Sequence, residues 1–243
     1  MQTEALFAHS KALDNTPAFR NINRRPGADA FDDLLDPADA AHDSQATLLA
    51  LRKADSVRSN VSPFAVLDPA THYSLAIQRT FQRAVFYPTR YGDGSYPVWY
   101  GSLDQLTTIH ETAFHMIRQE LDLINHHKAI ERRRIVYRVA CTAILIDLTR
   151  ESRFLPRLTN PTGYGFTQQI GKRIRTEMHP GLLAPSARHA GGINLAIFTS
   201  RVLSNPELIQ HLRYRLDPVS QRLTVIDETD GKEIAAMDGR LWL

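Results

Sequence analysis

The longest apolar stretch of this 243-residue chain, Ile135 to Leu148 (IVYRVACTAILIDL), limits the folds open to it. It falls short of the roughly 20 apolar residues that cross a bilayer, and it carries Arg138 and Asp147. So apolar a stretch is expected inside a core. With 43% hydrophobic and 23% charged residues, the chain can build a sizeable one. The N-terminus, MQTEALFAHSK, has early acid and histidine and no apolar run, unlike a secretory signal. The single cysteine, Cys141, allows no internal disulfide and is expected to be inert core. Together these features predict a soluble cytoplasmic protein. A net charge of +3 is too mild for a nucleic-acid-binding face, though it favours anionic substrates.

Residues 1–65 are polar, with scattered apolar positions, and read as a partly ordered N-terminal appendage. Ala46 to Lys53 suggests a helical turn or two there, and Asn60 to Pro63 and Pro69 punctuate the chain. The main domain spans 66–243. A glycine-bearing loop, DGSYP, leads into a short strand, VWYG, and then a helix. Ser102 and Gln105 fit a capping box, and Leu106, Ile109, Ala113, Ile117 and Leu121 follow at helical spacing. RIVYRVAC and ILIDLT read as strands, and a turn from Pro161 to Gly165 opens a second helix, FTQQIGKRIRTE. GLLAPSAR and INLAIFT suit a central sheet, and the alternating tail suits edge strands. The whole is α+β with mixed strands, without a regular βαβ repeat.

Several familiar motifs fail on spacing. His110-Glu111 with His115 resembles a zinc-protease motif, but its histidines are five apart rather than four and diverge by about 140° around a helix. No metal is expected. Gly163 and Gly165 begin a dinucleotide fingerprint, yet position 168 is Gln. Ser186 lies in Pro-Ser-Ala-Arg, outside any hydrolase elbow. His126-His127 suits a solvated helix end.

The stretch Thr89 to His115 concentrates chemistry. Arg90 precedes the glycine loop, Tyr100 ends the strand, and Glu111 lies on the helix that follows. Taking Leu106 as the apolar face, Glu111 falls about 140° away, beyond the buried stripe. From pattern alone, a solvated helix residue and a carboxylate facing a cleft both fit.

This stretch, together with GLLAPSARHAGGINLAIF at Gly181 to Phe198, resembles the RES-domain family, the toxins of RES–Xre toxin–antitoxin systems. The family's arginine, tyrosine, glutamate and serine match Arg90, Tyr100, Glu111 and Ser186. The resemblance covers roughly 75–200 as its motif core. The chain reads Thr-Arg-Tyr where many members have Gly-Arg-Trp, and its N-terminal extension is longer than a minimal RES domain requires.

The resemblance implies an ADP-ribosyltransferase-like fold, a mixed or antiparallel sheet core with flanking helices. It implies an enzyme that splits the nicotinamide–ribose bond of NAD, as an NAD phosphorylase or NADase. A protein ADP-ribosyltransferase on the same pocket, or a non-enzymatic binding module, are the alternatives. Arg90, Tyr100 and Glu111 would be catalytic; Ser186, Arg188, Asn194 and either Arg79 or Arg83 would bind substrate. NAD is substrate, with no further cofactor. Expected partners are NAD, phosphate and an Xre-family antitoxin, with a homodimer as a candidate assembly; neither nucleic acid nor a membrane is expected.

Overall fold

The computed structural model describes residues 4–24, 69–83, 85–123 and 128–241. The helical turn expected within 46–53, the punctuation at 60–63 and the pair His126-His127 lie outside them. The chain divides into two compact units. One is built from Met1–Asn21, Pro69–Glu111 and Tyr137–Leu208, the other from Ile22–Asp68, Thr112–Val136 and Ile209–Leu243.

The first unit carries β1 (Ser10–Asn23), α1 (Pro69–Tyr73), β2 (Pro88–Thr89), β3 (Gly92–Asp93), β4 (Trp99–Ser102) and the start of α2 (Gln105–Leu123). The end of β5 (Ile130–Asp147), α3 (Gly165–Thr176), β6 (Gly181–Pro185), β7 (Ile193–Ile197) and most of the first half of β8 (Leu203–Asp217) follow. Its strands run in the order β1-β4-β7-β6-β5. β4 and β6 both pair antiparallel with β7, while β6 pairs parallel with β5. The fold is therefore α+β, a mostly antiparallel mixed sheet with flanking helices.

Residues read as an appendage contribute to this sheet. β1 pairs antiparallel with β4, Phe19 opposite Ser102, and also pairs with β5. Its side chains are polar or small along much of its length, so its apolar pattern is weak; backbone hydrogen bonds recruit it.

The two strands expected within RIVYRVAC and ILIDLT are one continuous strand, β5. Alternation persists through its middle, where Val139, Cys141 and Leu145 are buried and Thr142 and Ile144 exposed, so nothing interrupts the ladder. The two charges in the run are both accommodated. Arg138 is exposed and pairs with Glu207 at 2.5 Å, and Asp147 accepts from Thr149 N at 3.0 Å and Thr149 Oγ1 at 2.6 Å. Cys141 is buried, and burial pushes its thiol up to about 11.

Tyr91, Tyr96, Val98, Ile146, Leu158, Ile170, Ile174, Leu182 and Phe198 belong to one buried cluster, against which Tyr100 and Phe166 pack. Each such fully buried side chain contributes roughly 1.5–3 kcal/mol.

The second unit carries the antiparallel series β8-β9-β10, with β9 at Arg222–Asp227 and β10 at Glu233–Asp238. Leu212, Tyr214 and Leu216 on β8 and Leu223 and Val225 on β9 are among its buried positions, the period-2 alternation legible in the tail. No helix among the described residues is long and apolar enough to cross a membrane.

Candidate active site

The site is built from a hairpin tip, a helix start and a loop, all in the first unit. β2 and β3 pair antiparallel, Thr89 opposite Gly92, so Arg90 and Tyr91 are the two residues of the tip. Neither takes a positive φ, the geometry such two-residue turns prefer. The tip is instead held from three sides. Tyr100 Oη accepts from Tyr91 N at 2.9 Å and shares a 2.8 Å hydrogen bond with Thr89 Oγ1. Gln168 Nε2, on α3, donates to Thr89 O at 3.1 Å. Gly171, one turn later, lets the helix close on the tip, since a Cβ there would lie 2.0 Å from Tyr91 O.

Held this way, Arg90 donates from Nη1 to Leu158 O at 3.1 Å and Asn160 O at 2.8 Å, and its guanidinium lies 4.5 Å from the Tyr164 ring centroid. Arg188 reaches the same turn from the other strand end, Nη2 donating to Pro161 O at 2.8 Å. Burial lowers the Arg188 guanidinium; Glu111 and Tyr164 oppose that drop, while Arg90 adds to it. Two guanidiniums thus share one turn and one aromatic ring, an arrangement that favours an anion between them.

The helix start differs from expectation. Asp104, not Ser102, caps α2, accepting from Thr107 N at 2.7 Å and from Thr107 Oγ1 at 2.6 Å. Ser102 stays in β4 and donates to Asn194 Oδ1 at 2.7 Å. Leu106 is 39% exposed while Thr107, Thr108 and Ile109 are buried, so the buried face does not begin at Leu106. The loop 186–192 packs on this first turn against Thr107. A Cβ on Gly192 would meet Thr107 Oγ1 at 2.3 Å.

That shift carries Glu111 to the inner side of the helix. Its Oε1 accepts from Ser186 Oγ at 2.6 Å and from Asn194 Nδ2 at 2.6 Å. Oε2 has no hydrogen bond among the described residues. Ser186 Oγ also accepts from Arg188 N at 3.1 Å and His189 N at 3.0 Å, so its proton is committed to Glu111 and its lone pairs to the backbone. Such a hydroxyl positions a carboxylate; it is poorly placed to attack.

His189 stacks on His110, ring centroids 4.7 Å apart and 13° from parallel. Thr107 gives its proton to Asp104, so the 2.8 Å bond to His189 Nδ1 requires the Nδ1–H tautomer of His189. Burial and His189 lower the His110 imidazole.

Of the expected site residues, the structure brings Glu111, Ser186 and Asn194 into direct contact and places Arg90 beside Tyr100 and Arg188. The Arg90 charge acts on Tyr100, Tyr91 and Arg188, and that of Glu111 acts on Tyr91 and Arg188. Arg79 is exposed and acts on Tyr137, which shares a 3.0 Å hydrogen bond with His72. Neither Arg79 nor Arg83 is among the Glu111 partners. Tyr91, Tyr164 and Gln168 were not anticipated; proximity to Arg90 in sequence was the available signal for Tyr91. Among the described residues no group of three or more His, Cys, Asp or Glu is placed to hold a metal.

None of the curated proteins matches this chain. Among solved structures, one of the M. tuberculosis MbcT–MbcA toxin–antitoxin complex matches at 12% identity and a TM-score of 0.45, over 89% of this chain and 92% of the other. The RES domain family matches residues 62–217. That span is more than half of the chain, and the protein belongs to the RES-domain family.

Proposed function

We propose that this chain is a RES-type toxin that cleaves the nicotinamide–ribose bond of NAD, with phosphate or water as acceptor. The observation that supports this best is Glu111. Its Oε1 is fixed by Ser186 and Asn194, its Oε2 carries no hydrogen bond among the described residues, and two guanidiniums act on the same small region.

In that reaction the bond between C1′ of the ribose and the nicotinamide nitrogen breaks. Its electron pair leaves with neutral nicotinamide, and positive charge develops on the ribose, as in glycoside hydrolysis. A carboxylate fixed at one oxygen can direct the other at that charge without reorganising during the step. An oxygen of phosphate or water then bonds to C1′, giving ADP-ribose 1-phosphate or ADP-ribose respectively, and the proton of the attacking water passes to solvent. Arg90 and Arg188 would bind the diphosphate, and the half-buried Tyr100 ring would flank the nicotinamide. NAD is the substrate, and the step draws on no further cofactor. On this reading loss of NAD arrests growth in the cytoplasm, and an Xre-family antitoxin restrains it.

The test is incubation of the purified chain with labelled NAD, with and without phosphate, followed by product identification. Free nicotinamide with ADP-ribose or its phosphorylated form supports the proposal. Label on a protein target would favour ADP-ribosyl transfer. Intact NAD under both conditions contradicts it.

A further inference from the structure

Tyr91 stands beside Arg90 at the hairpin tip, and its backbone is fully engaged. Its N–H donates to Tyr100 Oη, its carbonyl accepts from Tyr96 Oη at 3.0 Å, and α3 closes on that carbonyl at Gly171. Its side chain is 2% exposed and lies in the apolar cluster of the first unit. Yet its hydroxyl is buried with no hydrogen-bond partner among the described residues. The neighbouring phenols differ: Tyr96 and Tyr100 are both hydrogen-bonded.

A buried hydroxyl without a partner destabilises a fold, and phenylalanine would fill the same ring volume without that penalty. The hydroxyl is also not remote from the chemistry. Glu111 and Arg90 both act on it electrostatically, and burial keeps it protonated and able to donate. A donor held rigidly, dry and unmatched on the residue next to Arg90 at the hairpin tip, and within the field of Glu111, fits an acceptor that arrives with the ligand.

We infer that the Tyr91 hydroxyl binds the substrate, donating to a hydroxyl oxygen of the ribose that Glu111 engages, and so makes that hydroxyl a requirement for recognition. The inference rests on the NAD reading above. A site that buries a polar group for one substrate hydroxyl rejects analogues lacking it, because the protein group is then left unmatched.

Tyr91→Phe removes one oxygen and no packing volume. The ligand-free variant is expected to melt at the wild-type temperature or above it, while kcat/KM for NAD falls about 10-fold, the scale of one hydrogen bond. NAD analogues lacking the 2′- or the 3′-hydroxyl of the nicotinamide-side ribose complete a cycle. For one of them the loss seen with wild type is expected to vanish in Tyr91→Phe, because the pair is already broken. Unchanged kcat/KM in a well-folded variant, or losses that simply add for both analogues, overturns the inference. Should the variant fail to fold, wild type turning over both analogues as well as NAD overturns it too. Absence of NAD turnover by wild type defeats the NAD reading itself, and is seen before any variant is compared.

Discussion

Ser186 donates its hydroxyl proton to Glu111 Oε1 across 2.6 Å while accepting two backbone N–H groups, those of Arg188 and His189. One hydroxyl therefore ties the carboxylate to the loop that carries the second guanidinium. Replacing it by alanine leaves the carboxylate held by Asn194 alone and leaves two backbone donors unmatched. Ser186→Ala is expected to lose about 1–3 kcal/mol of stability by chemical denaturation. Its kcat/KM for NAD is expected to fall about 10-fold or more with KM changed little, because a mispositioned Glu111 weakens the transition state more than the ground state.

Gly171 separates packing from substrate contact. Alanine ordinarily stabilises a helix interior by up to about 1 kcal/mol over glycine. Here the new Cβ would meet the Tyr91 carbonyl at 2.0 Å, a backbone atom that cannot swing aside. Gly171→Ala is expected to destabilise by about 1–3 kcal/mol and to lower NAD turnover by displacing the Arg90 tip. Gly165→Ala, at the start of the same helix with nothing within 4 Å, is the control and should be neutral or mildly stabilising. Paired melting curves and turnover assays on the two variants check this.

Charge alone does not explain Arg90. Its Nη1 bonds two carbonyls while its Cζ lies over the Tyr164 ring, a combination that a lysine ammonium cannot reproduce. Arg90→Lys is expected to lose about 10- to 100-fold in kcat/KM despite keeping its charge. Steady-state rates of NAD turnover by the two proteins provide the readout.

The stacked pair His110–His189 predicts a pH dependence of stability. The His110 imidazole is lowered from its ordinary value of 6.5, first by burial and then by His189, against the opposing charges of Glu111 and Asp104. The unfolded chain then binds a proton that the native one refuses. Stability from this group is full above about 6.5, falls as pH drops below that value, and levels off once the native imidazole also protonates. Melting temperature followed from pH 7.5 to pH 5 should show this slope, and His110→Asn should flatten it.

Much of this site was legible in one dimension, for identifiable reasons. Arg90, Tyr100, Glu111 and Ser186 sit in short segments whose spacing survives as sequence. The half-buried setting of Glu111 was not legible, because the loop 186–192, rather than the apolar count from Leu106, decides which face of α2 is covered. The cap moved from Ser102 to Asp104 for a related reason, since pairing with β7 keeps Ser102 in the strand, opposite Asn194. Gln168 looked like a failed glycine motif, and its role is to hold the Thr89 carbonyl. The engagement of Tyr91 depends on groups from α3 and β4 meeting in space, which no local pattern records.

The most direct measurement is nicotinamide release from NAD by wild type and Glu111→Gln, at equal concentration and with melting curves recorded for both. Glutamine keeps the shape but removes the charge that would meet the developing ribose cation. Release by wild type, with a loss of at least about 100-fold in a folded Glu111→Gln, is the predicted result. Equal release by both proteins, or none by wild type, contradicts the assignment of Glu111 to the reaction.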